Sequence, residues 1–445
     1  MASRGDVSGP MGVGGKARVQ RAERRQIEIR MLSLDQMLAE DHPARAVWAY
    51  VESLDLTTFY AKIRAVEGAV GRDPIDPKIL LALWLFATID GVGSARRLDK
   101  LCQVHFAYMW LCGDVSVNYH TLSDFYSRFE EQLDELLTQS VAVLLHAGLV
   151  ELNRVSQDGM RVRASAGSSS FRREKTLTDC LTEAQTQQAA LKQEKDGDEN
   201  EREGRGGAED RRVRAARERS ARERAERIER ALTARHEVAQ KMEERKKGSG
   251  AEARASTTDP DARKMKMADG GFRPAYNVQF ATTADTRVIV GVDVVNAGTD
   301  GGLLVPMVDQ IEKRYGQNPR GMLADGGFVK LDDITQLESL GTQVYLPIME
   351  IDKKREKGID PYAPVKGDTK EVAEWRARMG TPEAQAIYKE RAASAEFANA
   401  GCRNRGLQQF RVRGLSKVLA VTLMQALAHN FQRFLALSQA KLALN

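Results

Sequence analysis

The middle of this chain is free of aromatic side chains: no Phe, Tyr or Trp occurs between Phe171 and Phe272. Within that gap, residues 172–256 hold 22 Lys and Arg against 19 Asp and Glu. Such a stretch has too little apolar surface to build a core of its own. The folded units must therefore lie on either side of it, and one of them must close up across it. The segment GDENEREGRGGAED reads as a loop that divides the stretch in two. The second half, RRVRAARERSARERAERIERALTARHEVAQKMEERKK, is a strong helix former with i,i+4 pairs Glu218–Arg222, Glu223–Arg227 and Glu226–Arg230. Ile228, Leu232 and Val238 offer only a weak apolar seam. The expectation is a helical-hairpin insertion, partly coiled coil, projecting from a folded core as a spacer, a clamp or a partner surface.

The rest of the 445 residues has room for two or three units. A chain that is 42% hydrophobic and 29% charged buries a core and is not disordered throughout. Four cysteines, Cys102, Cys112, Cys180 and Cys402, form no CxxC pair, which argues against a disulfide scaffold or a structural zinc. MASRGDVSGPMGVGGKARVQ has no apolar signal region, and no apolar run is long enough for a bilayer, so a cytoplasmic location is expected. Residues 1–30 read as a flexible basic segment whose Arg18, Arg21, Arg24 and Arg25 suit phosphate contact.

Residues 31–150 read as helical. Asp35 is a cap candidate, His42-Pro43 opens AVWAYVESLD, and Asp76-Pro77 opens the apolar run ILLALWLF. Asp90-Gly91-Val92-Gly93 stops that helix, Ser94 caps ARRLDKLC, and Val117-Asn118 breaks before another amphipathic helix. Short helices joined by tight turns fit a helix-turn-helix or a plain helical bundle. Residues 151–171 hold a first core strand, and 257–445 the remainder. AYNVQFATTA and VIVGVDVVN read as neighbouring strands, and Thr299-Asp300-Gly-Gly caps LLVPMVDQIEKRYG. GMLADGGF, LDDITQLESLG and QVYLP continue as strand, helix, strand, which indicates a mostly parallel sheet with helices on its faces. Residues 349–380 read as a polar insertion, and 381–399 and 414–440 as helices.

There is no phosphate-binding loop, no GxSxG elbow, and none of His42, His105, His120, His146, His236 and His429 pairs at metal-ligand spacing. Carboxylates remain. Asp158, Asp269 and Asp325 each precede a Gly, and two of the three end apolar strand-like segments. A carboxylate on the carboxyl rim of an α/β sheet suits a hard cation. A third acid is expected from TPEAQAIYKERAASAEFANAGCRNRGLQQF. There Glu396 lies among Ala393, Ala395, Ala398 and Ala400, whereas Glu383 and Glu390 read as solvent-facing.

These segments resemble bacterial insertion-sequence transposases of the DDE type with a helical N-terminal domain. QDGMRVRASAG is similar to the segment bearing the first catalytic Asp, LADGGF to that of the second, and YKERAASAEFANAGCRNRGL to the C-terminal Tyr–Arg–Glu signature. DHPARAVWAYVE, IDPKILLALWLFATIDGVGSARRL and VNYHTLSDF look like the N-terminal domain. The resemblance implies an α/β RNase H-like core, a mixed sheet with flanking helices, beside an all-α DNA-binding domain. It implies Asp158, Asp325 and Glu396 as catalytic metal ligands, with Tyr388, Arg391 and Arg403 in support; Asn399, which shares the Glu396 face of a regular helix at i+3, is a further supporting candidate. Two departures stand out: the Arg391-to-Glu396 spacing is one residue longer than in the commonest signature, and Arg403 replaces the usual Lys. Two Mg²⁺ ions, with Mn²⁺ as substitute, are implied, acting on double-stranded DNA in a homodimer or higher assembly that is nucleoid-associated when bound. Arg96, Arg97, Lys100 and Arg128 in the helical region, and Arg161, Arg163 and Lys330 near the acids, are the expected DNA contacts. A non-catalytic DNA-binding protein derived from a transposase is the alternative.

Overall fold

The computed structural model describes residues 25, 31–65, 73–201 and 208–444. Apart from Arg25, the basic N-terminal segment lies outside the described residues, as does the tip of the central hairpin.

Seven helices come first: α1 (Pro43–Glu52), α2 (Thr57–Tyr60), α3 (Pro77–Ile89), α4 (Ala95–Val104), α5 (Phe106–Cys112), α6 (Tyr119–Arg128) and α7 (Glu130–His146). Their starts follow local chemistry. Asp76 accepts from the Lys78 amide, Ser94 from Arg97, and Asn118 from both His120 and Thr121, each supplying an acceptor to amides that have no intrahelical partner. Asp35 departs from expectation. It sits in a turn rather than at a helix start, and its carboxylate is taken by Arg45 at 2.7 Å and by the Trp110 indole at 3.0 Å. Every residue of α3 from Leu80 to Thr88 is buried, so α3 is the axis of this layer rather than a surface helix.

The sheet contains β1 (Arg154–Arg163), β4 (Arg263–Lys266), β5 (Phe272–Thr283), β6 (Ile289–Val295), β7 (Gly321–Leu323) and β8 (Gln343–Tyr345); the short β2 (Phe171–Arg172) and β3 (Ala255–Ser256) pair with each other. The order is β4-β5-β1-β7-β8, with β6 also paired to β5. The sheet is mixed rather than mostly parallel: β1–β5, β4–β5 and β5–β6 are antiparallel, and β1–β7 and β7–β8 parallel. The short turns joining β4 to β5 and β5 to β6 permit only antiparallel pairing, whereas β7 and β8 are separated by α11 (Leu331–Ser339), a crossover helix.

The charged insertion is a pair of helices, α8 (Glu174–Glu201) and α9 (Ala208–Arg245), rooted on the β2–β3 pair, so the chain leaves and returns at adjacent points. Its seam is thin: Ile228 and Ala225 meet Ala184, and Ala231 and Ala234 meet Leu177. The arginines of α9 reach outward more than along the helix. Arg224 pairs with Glu183, Arg235 with Glu174 and Arg230 with Asp261, and within the helix Arg222 pairs with Glu226 at 3.5 Å rather than with Glu218.

After β6 come α10 (Leu304–Tyr315), α11, α12 (Ile351–Glu356), α13 (Lys370–Met379), α14 (Pro382–Asn404) and α15 (Leu415–Leu444). The stretch read as a polar insertion contains α13, which buries Val372, Trp375 and Met379 and packs on α11. Helix α15 packs against α3, α7 and β6, so the buried residues of the N-terminal helices and of the sheet form one continuous core.

Candidate active site

The parallel register of β1 and β7 sets up the site. Ser156 pairs with Leu323, and Asp158 and Asp325 each lie two residues further along their strands' direction. Asp158 is not at a strand end, as expected, but midway along β1; the rim arises because β7 stops at Leu323 while β1 continues to Arg163. Asp325 does leave its strand, and its carboxylate accepts from the Gly327 amide at 2.8 Å, fixing the turn.

Helix α14 closes the site from one face. Asn399 donates to Asp158 Oδ2 at 2.7 Å, and the Gly159 amide donates to Asp158 Oδ1 at 2.9 Å. The helix is pinned to β1 by Ser394, 2.7 Å from Ser156, and by the half-exposed Glu390, which pairs with Arg154 at 2.7 Å. Burial pushes the Asp158 carboxyl above its usual value and the Asp325 charge adds to this; the Arg391 charge pulls the other way. Tyr388 lies beside Arg391, whose guanidinium is 5.9 Å from its ring, and burial raises its phenol. Asp158, Asp325, Tyr388, Arg391 and Asn399 are thus brought together.

Glu396 is not brought to them. It is exposed on α14, one turn before Asn399 and about 60° round the helix from it. Among the described residues, no three His, Cys, Asp or Glu side chains cluster closely enough to hold one ion. A hard divalent cation nonetheless fits the donors that are present. Two carboxylates crowd together, and Asn399 Oδ1 is buried with no hydrogen-bond partner among the described residues.

On the face of β1 that carries Gly159, Arg161 and Arg163 runs an open groove of about 720 Å³ that gathers two of the expected DNA contacts, Arg161 and Arg163, with Arg403, expected in support of the acids, and with Lys266 and Arg273, which the sequence reading missed. Asp269 also lines it. Its carboxylate is held by Arg273 at 2.8 Å, and this ion pair pulls its pKa down to about 2. Lys330 pairs with Asp333 at 3.2 Å. In the helical layer, Arg96, Arg97, Lys100 and Arg128 are all exposed, with Arg96 stacked 5.1 Å over Tyr119. That ring lines a cavity of about 400 Å³ shared with Arg405 and Arg411 of the segment after α14.

A second carboxylate environment lies on the opposite face of β1. Asp300 was expected to cap α10, but that helix starts at Leu304 without a side-chain cap. Asp300 is buried instead, accepting from Asn277 at 2.7 Å, Gln279 at 2.9 Å and Arg161 at 2.8 Å. The available signal was in β5 itself, where Asn277 and Gln279 sit two apart in an otherwise apolar strand.

Comparison with known protein families gives two matches. Residues 32–128 match the family model described as a transposase domain (DUF772), and residues 362–435 match that described as a transposase DDE domain. The two matches, one towards each end, support an insertion-sequence transposase of the DDE type. Transposases act on DNA, the DDE domain implies nuclease and transposition activity, and this family generally uses divalent metal ions. No curated protein and no solved structure matches the chain. Among the described residues, no helix is long and apolar enough to cross a membrane.

Proposed function

We propose that this transposase binds the terminal inverted repeats of its own insertion sequence, hydrolyses their ends, and joins the freed 3′-hydroxyls to target DNA. The observation that carries this reading is the β1–β7 register, which brings Asp158 and Asp325 into electrostatic contact on the rim closed by α14. Glu396 is the third acid of this reading, on the strength of its match to the family signature and its place on that same helix. The strand order, three antiparallel-linked strands continued by two parallel ones, supports an RNase H-like core.

Bound Mg²⁺, two ions with Mn²⁺ as substitute, would supply an activated water or 3′-hydroxyl and stabilise the leaving oxygen. The chain's own residues do the rest. Asn399 holds one oxygen of Asp158 and so orients the other, while Arg391 tempers the repulsion between the two Asp. Arg163, Arg403, Lys266 and Arg273 line an open basic groove that suits a phosphate backbone. The exposed Arg96, Arg97, Lys100 and Arg128 are assigned to recognition of the ends. Joining two ends requires that both be held together, so a dimer or higher assembly on DNA follows. The site of action is the cytoplasm, at the nucleoid.

The test is cleavage of duplex DNA carrying the inverted repeats that flank the coding region, with Mg²⁺, Mn²⁺ or chelator. Metal-dependent nicking at the repeat ends is expected, abolished in Glu396→Gln. Specific binding without cleavage would leave the non-catalytic alternative.

A further inference from the structure

We propose that Asp300 is a positioning residue for this site, locking the Asp158 and Asp325 segments together from the far face of the sheet. The proposal rests on the function proposed above. Side chains alternate along a strand, so residues 157, 159 and 161 of β1 face away from the rim that Asp158 occupies. All three are engaged there. Gln157 donates to Gln279 at 3.0 Å and to the Leu303 carbonyl at 3.1 Å. Arg161 donates to Asp300 Oδ2, while Asn277 and Gln279, the register partners of Arg161 and Gly159, donate to Asp300 Oδ1.

Gly159 lies in the middle of this network, and its role is steric. A Cβ there would stand 2.4 Å from Asp300 Oδ1, 2.6 Å from Gln279 Nε2 and 3.0 Å from Asn277 Oδ1. Its backbone is not in the left-handed region, so what the glycine supplies is room for the carboxylate against the strand. The same carboxylate reaches the second Asp segment: a Cβ on Gly327 would lie 3.6 Å from Asp300 Oδ2 and 3.0 Å from Asp325 Oδ1. One buried, triply hydrogen-bonded group therefore packs against the strand at Gly159, next to Asp158, and lies close to the Gly327 turn that follows Asp325. Two repelling carboxylates on the near face relax apart unless their backbones are held, and residues that position such ligands typically contribute about 10- to 100-fold to activity.

The experiment uses full-length wild type, Asp300→Asn and Gly159→Ala, read by cleavage kinetics on repeat-end DNA with Mg²⁺ and by metal-free hydrogen exchange of peptides spanning 157–160 and 325–328. Both variants should lower kcat about 10- to 100-fold with KM for DNA unchanged, and both peptides should exchange faster. Gly159→Ala keeps every member of the network, so it decides the matter if Asp300→Asn does not fold. A variant that melts earlier but keeps wild-type kcat and wild-type exchange in both peptides would make Asp300 merely structural and overturn the proposal. Absence of end cleavage by the wild type would instead sink the transposition reading, with the exchange measurement still reporting on the lock.

Discussion

Two carboxylate environments share one short stretch of β1 and are opposite in character. On the near face, Asp158 is half-buried against the charge of Asp325, with one hydrogen bond from Asn399 and one from its neighbouring amide. On the far face, Asp300 is buried, but with three donors, one of them a guanidinium. Burial of a charge is tolerated when it is paired and hydrogen-bonded, and is costly otherwise. The far face is built for stability, while the near face holds a repulsion that a bound cation would relieve.

The largest expected effect tests the near face. Asp158→Asn and Asp325→Asn should each reduce end cleavage about 10³-fold or more, since several kcal/mol of transition-state stabilisation are lost at about 1.4 kcal/mol per tenfold. Binding of end DNA should stay within about twofold, because phosphate contacts elsewhere carry it. Cleavage close to the wild-type rate in either variant would remove that Asp from the site.

Next in size is a contrast within the groove. Arg161→Ala leaves Asp300 buried beside no cation and should destabilise the fold by about 3 kcal/mol. Arg403→Ala removes an exposed charge and should change stability by less than about 0.5 kcal/mol, while lowering the salt dependence of DNA binding by about one phosphate contact. Denaturant titrations of the two variants, run side by side, would erase the distinction between the faces if they gave equal losses.

A change of opposite sign follows for Asp158→Asn. Because the folded pKa of Asp158 is raised, its protonated form is favoured on folding, and the stability this brings is lost as pH rises through the folded value. At pH 7 without metal, the variant should therefore melt at a higher temperature than wild type. The advantage should fade as pH falls below the ordinary carboxylate value of about 4, and a melting series from pH 3 to pH 8 checks it.

The smallest effect concerns the hairpin, which touches neither carboxylate. Replacing residues 174–252 by a short Gly/Ser linker across the β2–β3 root should cost the core about 1 kcal/mol, the scale of loop-closure differences, and leave single-end binding intact. Pairing of two ends should be lost. Pairing at wild-type level would make the hairpin a spacer.

Which of these features were legible in the sequence follows from how local they are. Asp76, Ser94 and Asn118 cap helices because their partners lie two or three residues away, within reach of a pattern. Asp325 was readable for the same reason, as an Asp-Gly-Gly turn after a short apolar run. Asp300 looked like a cap by that same rule, yet its partners stand 139, 23 and 21 residues away. Glu390 looked solvent-facing because Arg154 is 236 residues distant. The resemblance implied the mixed sheet that is seen, whereas the local pattern pointed to a mostly parallel one because the alternation after residue 300 describes only β7 and β8, while β4, β5 and β6 are successive strands joined by turns.

The hairpin also has a mechanical consequence. Helix α9 is 38 residues long, about 57 Å at 1.5 Å per residue, and it is rooted on a pair of two-residue strands. It is a lever arm with a narrow pivot. From Ala208 to Arg230 at the root the arm is about 33 Å, so a tilt of about ten degrees there carries the far end through about 6 Å. Ion pairs at the root, such as Arg230 with Asp261, have only short distances to shift to change where the tip points. A small rearrangement at the root would thereby be converted into a larger displacement at the periphery.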